Sequence, residues 1–228
     1  MLPKGSRPYV EVVVAAFHSH ADPERAVAMK AYMRDQFEYC GIPAPARAAL
    51  TREAWAGLEK PDEGAVIQAA RALWILPERE FQYAAVALIR RHLRRLGPGL
   101  MPAAEAFIVT KSWWDTVDEL AAHVVGPLAL RYPELRDELD RYIESDNLWL
   151  ARTAIIHQLG YKDRTDTERL FAYCERRRSD ADFFIRKAIG WALREYSKTD
   201  PQAVLGFVAE HGNMSGLSRK EALRRVRV

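Results

Sequence analysis

The residues at 110–118, Thr-Lys-Ser-Trp-Trp-Asp-Thr-Val-Asp, place two adjacent indoles within one helical turn of two carboxylates, directly after a lysine and a serine. Ser112 is suited to cap a helix starting here, and acids are favoured in a first turn, where free N–H groups and the helix dipole meet them. On such a helix Trp114 and Asp118 are four residues apart and share a face. An indole beside an ionised carboxylate suits a cationic or electron-poor partner. The competing reading is an ordinary capped helix that buries one or both rings.

Other residues extend this set. Arg152 lies among Trp149, Leu150, Ala154, Ile155 and Ile156. A guanidinium in so apolar a helix either snorkels to water or meets an anion, which here is a phosphate or a carboxylate such as Asp118. Trp191 follows Gly190, whose missing side chain admits either another backbone or a nucleotide. Tyr32 reads by its own helix as a core residue, and His157 as a structural histidine with a groove position as the rival. No glycine-rich phosphate loop, His-Glu-x-x-His or nucleophile elbow occurs. Gly97-Pro-Gly99 has the look of a DNA-binding hairpin, but the arginines before it make a helix C-terminus the better reading.

The elements that must position these side chains are helices. Apolar residues recur at helical spacing between Pro, Gly and Asp-Pro turns. This predicts helices near 9–18, 23–40, 45–57, 63–75, 79–96, 101–109, 113–131, 134–144, 147–159, 166–177, 182–197, 201–211 and 218–226, an all-α fold read as one domain over 1–228. Four helix starts align on their leading aromatics, Phe81, Trp114, Trp149 and Phe183, spaced 33, 35 and 34 residues apart. A two-helix period of that length marks an α-solenoid, with a compact helical bundle as the alternative. Counted from each aromatic, Trp114, Asp118, Arg152 and Trp191 fall within an arc of roughly 140° at about 100° per residue, so stacked helices would turn all four towards one surface.

Composition narrows the partners. The chain has 228 residues, 49% of them hydrophobic, and a net charge of +3. From residue 186 onward nine Lys/Arg face four acids, a basic end that fits phosphate binding as well as it fits a solvated helix face. No apolar run approaches the roughly 18 residues of a membrane span, and no secretion signal is evident. Cys40 and Cys174 lack CxxC or CxxH spacing, so neither a metal nor a cofactor is expected. The protein is read as cytoplasmic and free of disulfides.

The segments 110–118, Ser145-Asp-Asn-Leu-Trp-Leu-Ala-Arg152 and Phe183-Phe-Ile-Arg-Lys-Ala-Ile-Gly-Trp191, the last running on to Pro201, closely resemble the AlkD-type alkylpurine DNA glycosylases. The stretches at 77–82 and 217–222 are similar to the same family, and Tyr32-Met…Phe37…Gly41-Ile-Pro is a weaker match. The resemblance covers residues 20–225. It implies HEAT-like two-helix repeats with a concave, positively charged DNA-binding surface, and hydrolysis of the N-glycosidic bond of cationic N3- and N7-alkylated purines in duplex DNA. The implied catalytic acid is Asp118 rather than Asp115, flanked by Trp114 and Trp191, with Arg152 contacting DNA. The other DNA-contact candidates are Lys111, Ser112, Tyr32, Arg186, Lys187 and Arg194. The resemblance also implies action without enclosing the base, and so poor release of uncharged lesions. The expected protein is a monofunctional, monomeric enzyme without cofactor, associated with the nucleoid through DNA. Its rivals are a non-enzymatic HEAT-repeat module using the same face, and a glycosylase–lyase with Lys111 as the nucleophile.

Overall fold

The computed structural model describes residues 5–226, in which the regular elements are helices joined by short turns. The fold is all-α. The chain clusters into two compact units, Met1–Ala103 and Ala104–Val228, which are taken in turn.

The first unit contains α1 (Arg7–Ser19), α2 (Pro23–Tyr32), α3 (Ala44–Ala54), α4 (Glu63–Trp74) and α5 (Arg79–His92). Helix α1 packs on α3 and α4, and α4 on α5, around Val13, Phe17, Val66, Leu73, Phe81 and Leu88, all fully buried. Burying each of these side chains contributes roughly 1.5–3 kcal/mol. The sequence predicts a helix running to residue 40, but α2 stops at Tyr32. Arg34 and Asp35 follow in the left-handed region, with φ of 56° and 57°, and no glycine or proline announces that turn. The same ending overturns the reading of Tyr32 as core: its side chain is 74% exposed.

Beyond this turn the chain is pinned by one buried acid. Both oxygens of Glu80, a fully buried side chain, accept backbone N–H bonds at 3.0 Å, from Cys40, Gly41 and Ile42. An isolated parallel bridge joins Glu38 to Glu78, and Asp22 N–H donates to the Cys40 carbonyl at 2.8 Å. Gly41 has φ of +87°, and a side chain there would lie 2.0 Å from the Asp22 carbonyl oxygen. Only glycine fits.

The second unit takes in most of α6 (Met101–Val109), then α7 (Trp114–Leu120), a π turn (Ala121–Val125), α8 (Gly126–Arg131), α9 (Arg136–Glu144), α10 (Leu148–Ile156), α11 (Thr167–Arg176), α12 (Phe183–Tyr196), α13 (Pro201–Glu210) and α14 (Gly216–Ala222). Helix α10 packs against α7, α9 and α12, and α12 in turn packs most extensively against α14. The predicted continuous helix over 113–131 is thus interrupted by the π turn. Just after it, Gly126 lies so close to α10 that a Cβ would stand 2.1 Å from the His157 carbonyl oxygen.

Caps set where the site-bearing helices begin. Asn147 accepts from the backbone N–H groups of Trp149 and Leu150, and Asp182 from those of Phe184 and Ile185. Each such cap contributes about 0.5–2 kcal/mol, and each precedes a helix with an aromatic in its first turn, Trp149 in α10 and Phe183 in α12. Helix α7 departs from the expectation. Its N-cap is Trp113, which makes no side-chain bond, while Ser112 Oγ donates backwards to the Ile108 carbonyl at 2.6 Å. The serine closes the end of α6 because Lys111 takes a left-handed φ of 48°, reversing the chain before α7 can start.

Candidate active site

Trp114, Asp118, Arg152, Lys187, Trp191 and Arg194 line one cleft of about 410 Å³ in the second unit, together with Phe183, Phe184 and Glu221. Helix α7 supplies the first two, α10 the arginine, and α12 the aromatic and basic wall. The fork of Arg152 grips Asp118 with two bonds, Nε to Oδ1 at 2.7 Å and Nη2 to Oδ2 at 2.8 Å. Its remaining arm, Nη1, donates to the Phe184 carbonyl. Arg152 is 6% exposed at its side chain and Asp118 16%, so this is a largely desolvated pair. Its guanidinium is turned to protein partners rather than outward to a phosphate.

This geometry leaves Asp118 chemically available. A carboxylate offers about four lone-pair directions, and Arg152 occupies one on each oxygen. The others can accept from water or face a developing positive charge. Burial pushes the Asp118 carboxyl above the usual aspartate range despite the opposing pull of Arg152, and the nearby acids Asp115 and Glu119 add to the rise. A raised value for a carboxyl means that its protonated form favours the folded state. That contribution is complete below the unfolded value and gone above the folded one. At neutral pH the charge on Asp118 therefore stands at a cost to stability.

Behind the cleft, Trp113, Trp149 and Phe184 form a ring cluster with centroid separations of 5.0–5.9 Å. The two neighbouring indoles are thus divided: Trp113 packs into the cluster and Trp114 lines the cleft. Such aromatic contacts add about 0.5–1.5 kcal/mol each beyond burial, and they hold the Phe184 carbonyl where Arg152 Nη1 meets it.

The sequence does not single out Glu221, which sits in a basic segment that reads as a solvated face. It bonds Lys187 Nζ at 3.0 Å and Arg194 Nη1, and Lys187 holds its carboxyl below the ordinary range. Gly190 explains how α14 comes near enough. A Cβ there would lie 2.5 Å from Glu221 Cβ and 2.9 Å from the Ser218 carbonyl oxygen, so it is another backbone that the glycine admits. Replacing Gly190 by Ala is expected to lower stability by about 1–3 kcal/mol, read from urea unfolding, because α14 must move away. Unchanged stability would show that α14 does not pack this closely.

The remaining candidates lie elsewhere. Arg186 Nε donates to the Asp180 carbonyl at 2.8 Å, and neither it, Lys111 nor Ser112 lines the cleft. Tyr32 belongs to the first unit. His157 is structural, 3% exposed, with Nδ1 at 2.7 Å from the Ala154 carbonyl, and burial lowers its pKa to about 4. Phe183, 58% exposed, lines the cleft as well, and its place in the aromatic register is the sequence signal for it. A second, more polar cleft of about 470 Å³ shares Trp191 and Arg194 and adds Lys198, Arg224 and Arg225 with one acid, Glu195, which pairs with Lys198 at 2.6 Å.

Residues 13–226 match the model of a family described as DNA alkylation repair enzyme. Among solved structures, the chain is similar to one described as "Predicted DNA alkylation repair enzyme from Enterococcus faecalis". The two share 34% identity with a TM-score of 0.84, over 90% of this chain and 96% of the other. No curated protein sequence matches.

Proposed function

The chain belongs to the DNA alkylation repair enzyme family, and from that premise we propose that it is a monofunctional glycosylase releasing cationic N3- and N7-alkylated purines from duplex DNA. The observation that carries this reading is the ionisable carboxylate of Asp118, held by Arg152 in a cleft walled by Trp114 and Trp191.

Alkylation at N3 or N7 places a positive charge on the purine, so the base departs without being protonated. The enzyme need not supply a strong acid. As the N-glycosidic bond lengthens, positive charge grows on the deoxyribose. Asp118 opposes it electrostatically while the bonding pair leaves with the now neutral base. It also accepts a hydrogen bond from the attacking water, whose proton passes to the carboxylate and on to solvent as the new C–O bond forms. The faces of Trp114 and Trp191 offer their negative quadrupoles to the same electron-poor sugar. Arg152 acts as a positioning residue that fixes both carboxylate oxygens. Lys187, Arg194 and the basic margin of Lys198, Arg224 and Arg225 meet phosphates, giving binding that is insensitive to sequence and weakens with salt.

With the charge of the lesion doing part of the work, uncharged lesions are poor substrates. Incubation with methylated duplex DNA is expected to release free 3-methyladenine or 7-methylguanine, while a hypoxanthine duplex yields at least about 100-fold less, the equivalent of one lost transition-state interaction. Efficient hypoxanthine release would overturn the charge-based mechanism. Duplex binding without release of any base would favour a non-enzymatic DNA-binding module. Borohydride is expected to trap no covalent DNA adduct, since hydrolysis uses water rather than Lys111.

A further inference from the structure

Three residues far apart in the chain, none of them used in the proposed chemistry, meet in the first unit. His18 stands in the last turn of α1, Cys40 in the loop before α3, and Glu78 immediately before α5. One ligand atom from each lies within 4.8 Å of the other two. We propose that His18, Cys40 and Glu78 form a binding site for a divalent cation of the zinc class.

The donor set selects the metal. A thiolate, an imidazole and a carboxylate suit a borderline-soft ion rather than calcium or magnesium, whose sites are built of oxygens. With bonds of about 2.0–2.3 Å, tetrahedral coordination holds ligand atoms roughly 3–4 Å apart, so the observed spacing closes by small side-chain rotations. Three protein ligands leave a fourth position for water, and of the three side chains that of His18 is the exposed one. The sulfur approaches from the buried side, Cys40 being 5% exposed. Binding forms a metal–sulfur bond and releases the thiol proton to solvent.

The arrangement is preorganised, which separates it from a chance meeting of side chains. Cys40 is fixed on both sides of its backbone: its N–H donates to Glu80 Oε2 at 3.0 Å and its carbonyl accepts from Asp22 at 2.8 Å. The bridge between Glu38 and Glu78 sets the distance from the cysteine loop to the start of α5. Glu78 takes the N-cap position of α5 without using its side chain as the cap, leaving the carboxylate for another partner. His18 stands edge-on to Phe81, with ring centroids 5.6 Å apart and planes at 88°, which limits the imidazole's orientation. The metal would clamp α1 to α5 through the loop. Sequence spacing is blind to such a site, because its ligands are contributed singly from three elements.

The test uses the full chain and Co²⁺ as an optical probe. One equivalent should produce the near-ultraviolet charge-transfer band of a cobalt thiolate, and Zn²⁺ should abolish it by competition. Cys40→Ser should remove the band. His18→Ala, which alters an exposed side chain, and Glu78→Gln should each weaken binding by about tenfold or more, with urea unfolding of the metal-free variants checking that the fold is kept. Cys174→Ser, which changes the other buried cysteine, should leave the band unchanged. Absence of the band in the wild type, equal affinity in His18→Ala and Glu78→Gln, or loss in Cys174→Ser alone would overturn the assignment.

Discussion

Replacing Asp118 by Asn is expected to lower the single-turnover rate of base release at least 100-fold, corresponding to about 2.7–4 kcal/mol of transition-state stabilisation, while duplex affinity changes little. Asparagine keeps the shape of aspartate and removes the charge that opposes the developing cation. The Lys187 and Arg194 wall is untouched, so binding to phosphate is retained. Parallel losses in rate and affinity would instead mark Asp118 as a binding residue. The same carboxylate predicts a pH profile. Because burial raises its pKa, base release should fall on acidification at a pH above that of an exposed aspartate. The measurement is the single-turnover rate against pH, and in Asp118→Asn the limb should vanish.

Removing the other half of the pair should act on the fold as strongly as on the chemistry. Arg152→Met keeps an unbranched apolar side chain of similar length but leaves a buried carboxylate without its cation. Breaking a buried pair in this way typically costs about 3–5 kcal/mol, here measured by urea or thermal unfolding. Base release should fall too, because an unpaired Asp118 is driven further towards its neutral form. The double variant Arg152→Met/Asp118→Asn should recover much of the stability lost by Arg152→Met, with no recovery of activity. Simple additivity of the two losses would mean that the two side chains are not coupled. Arg152→Lys should fall between, since one ammonium cannot reproduce two parallel bonds and a third to the Phe184 carbonyl.

Much of this site can be read from the chain without coordinates because helical geometry converts offsets into directions. Trp114 and Asp118 share a face at a four-residue spacing, and Arg152 and Trp191 come to the same cleft through helices whose starts follow a regular period. The caps at Asn147 and Asp182 keep those starts in register. Where the reading falls short, the cause is long-range. Ser112 has every local qualification for a cap, yet the reversal at Lys111 turns it to the preceding helix. The end of α2 at Tyr32 depends on two non-glycine residues with positive φ, set by tertiary contacts rather than by a turn motif. Glu221 is invisible because its meaning depends on the close approach at Gly190. Of the two partners that the sequence allows Arg152, a phosphate or a carboxylate such as Asp118, the structure shows the carboxylate, with the Phe184 carbonyl beside it, partners lying 34 and 32 residues away along the chain.

The π turn at Ala121–Val125 bears on how this scaffold tolerates change in length. A π turn contains one residue more than a regular helix needs, and each residue is worth about 100° of rotation. Deleting one amino acid there would smooth the helix and improve its local hydrogen bonding. Because the surplus residue is taken up locally, the helix on either side stays in phase, and Gly126 keeps its place against the His157 carbonyl. A single deletion inside the turn should therefore leave Asp118 facing the cleft, whereas one between Asp118 and the turn would rotate the acid by about 100°. Length change is tolerated in this overfull coil, as it is in surface turns such as the one around Lys162, and not in the regular helix beside it.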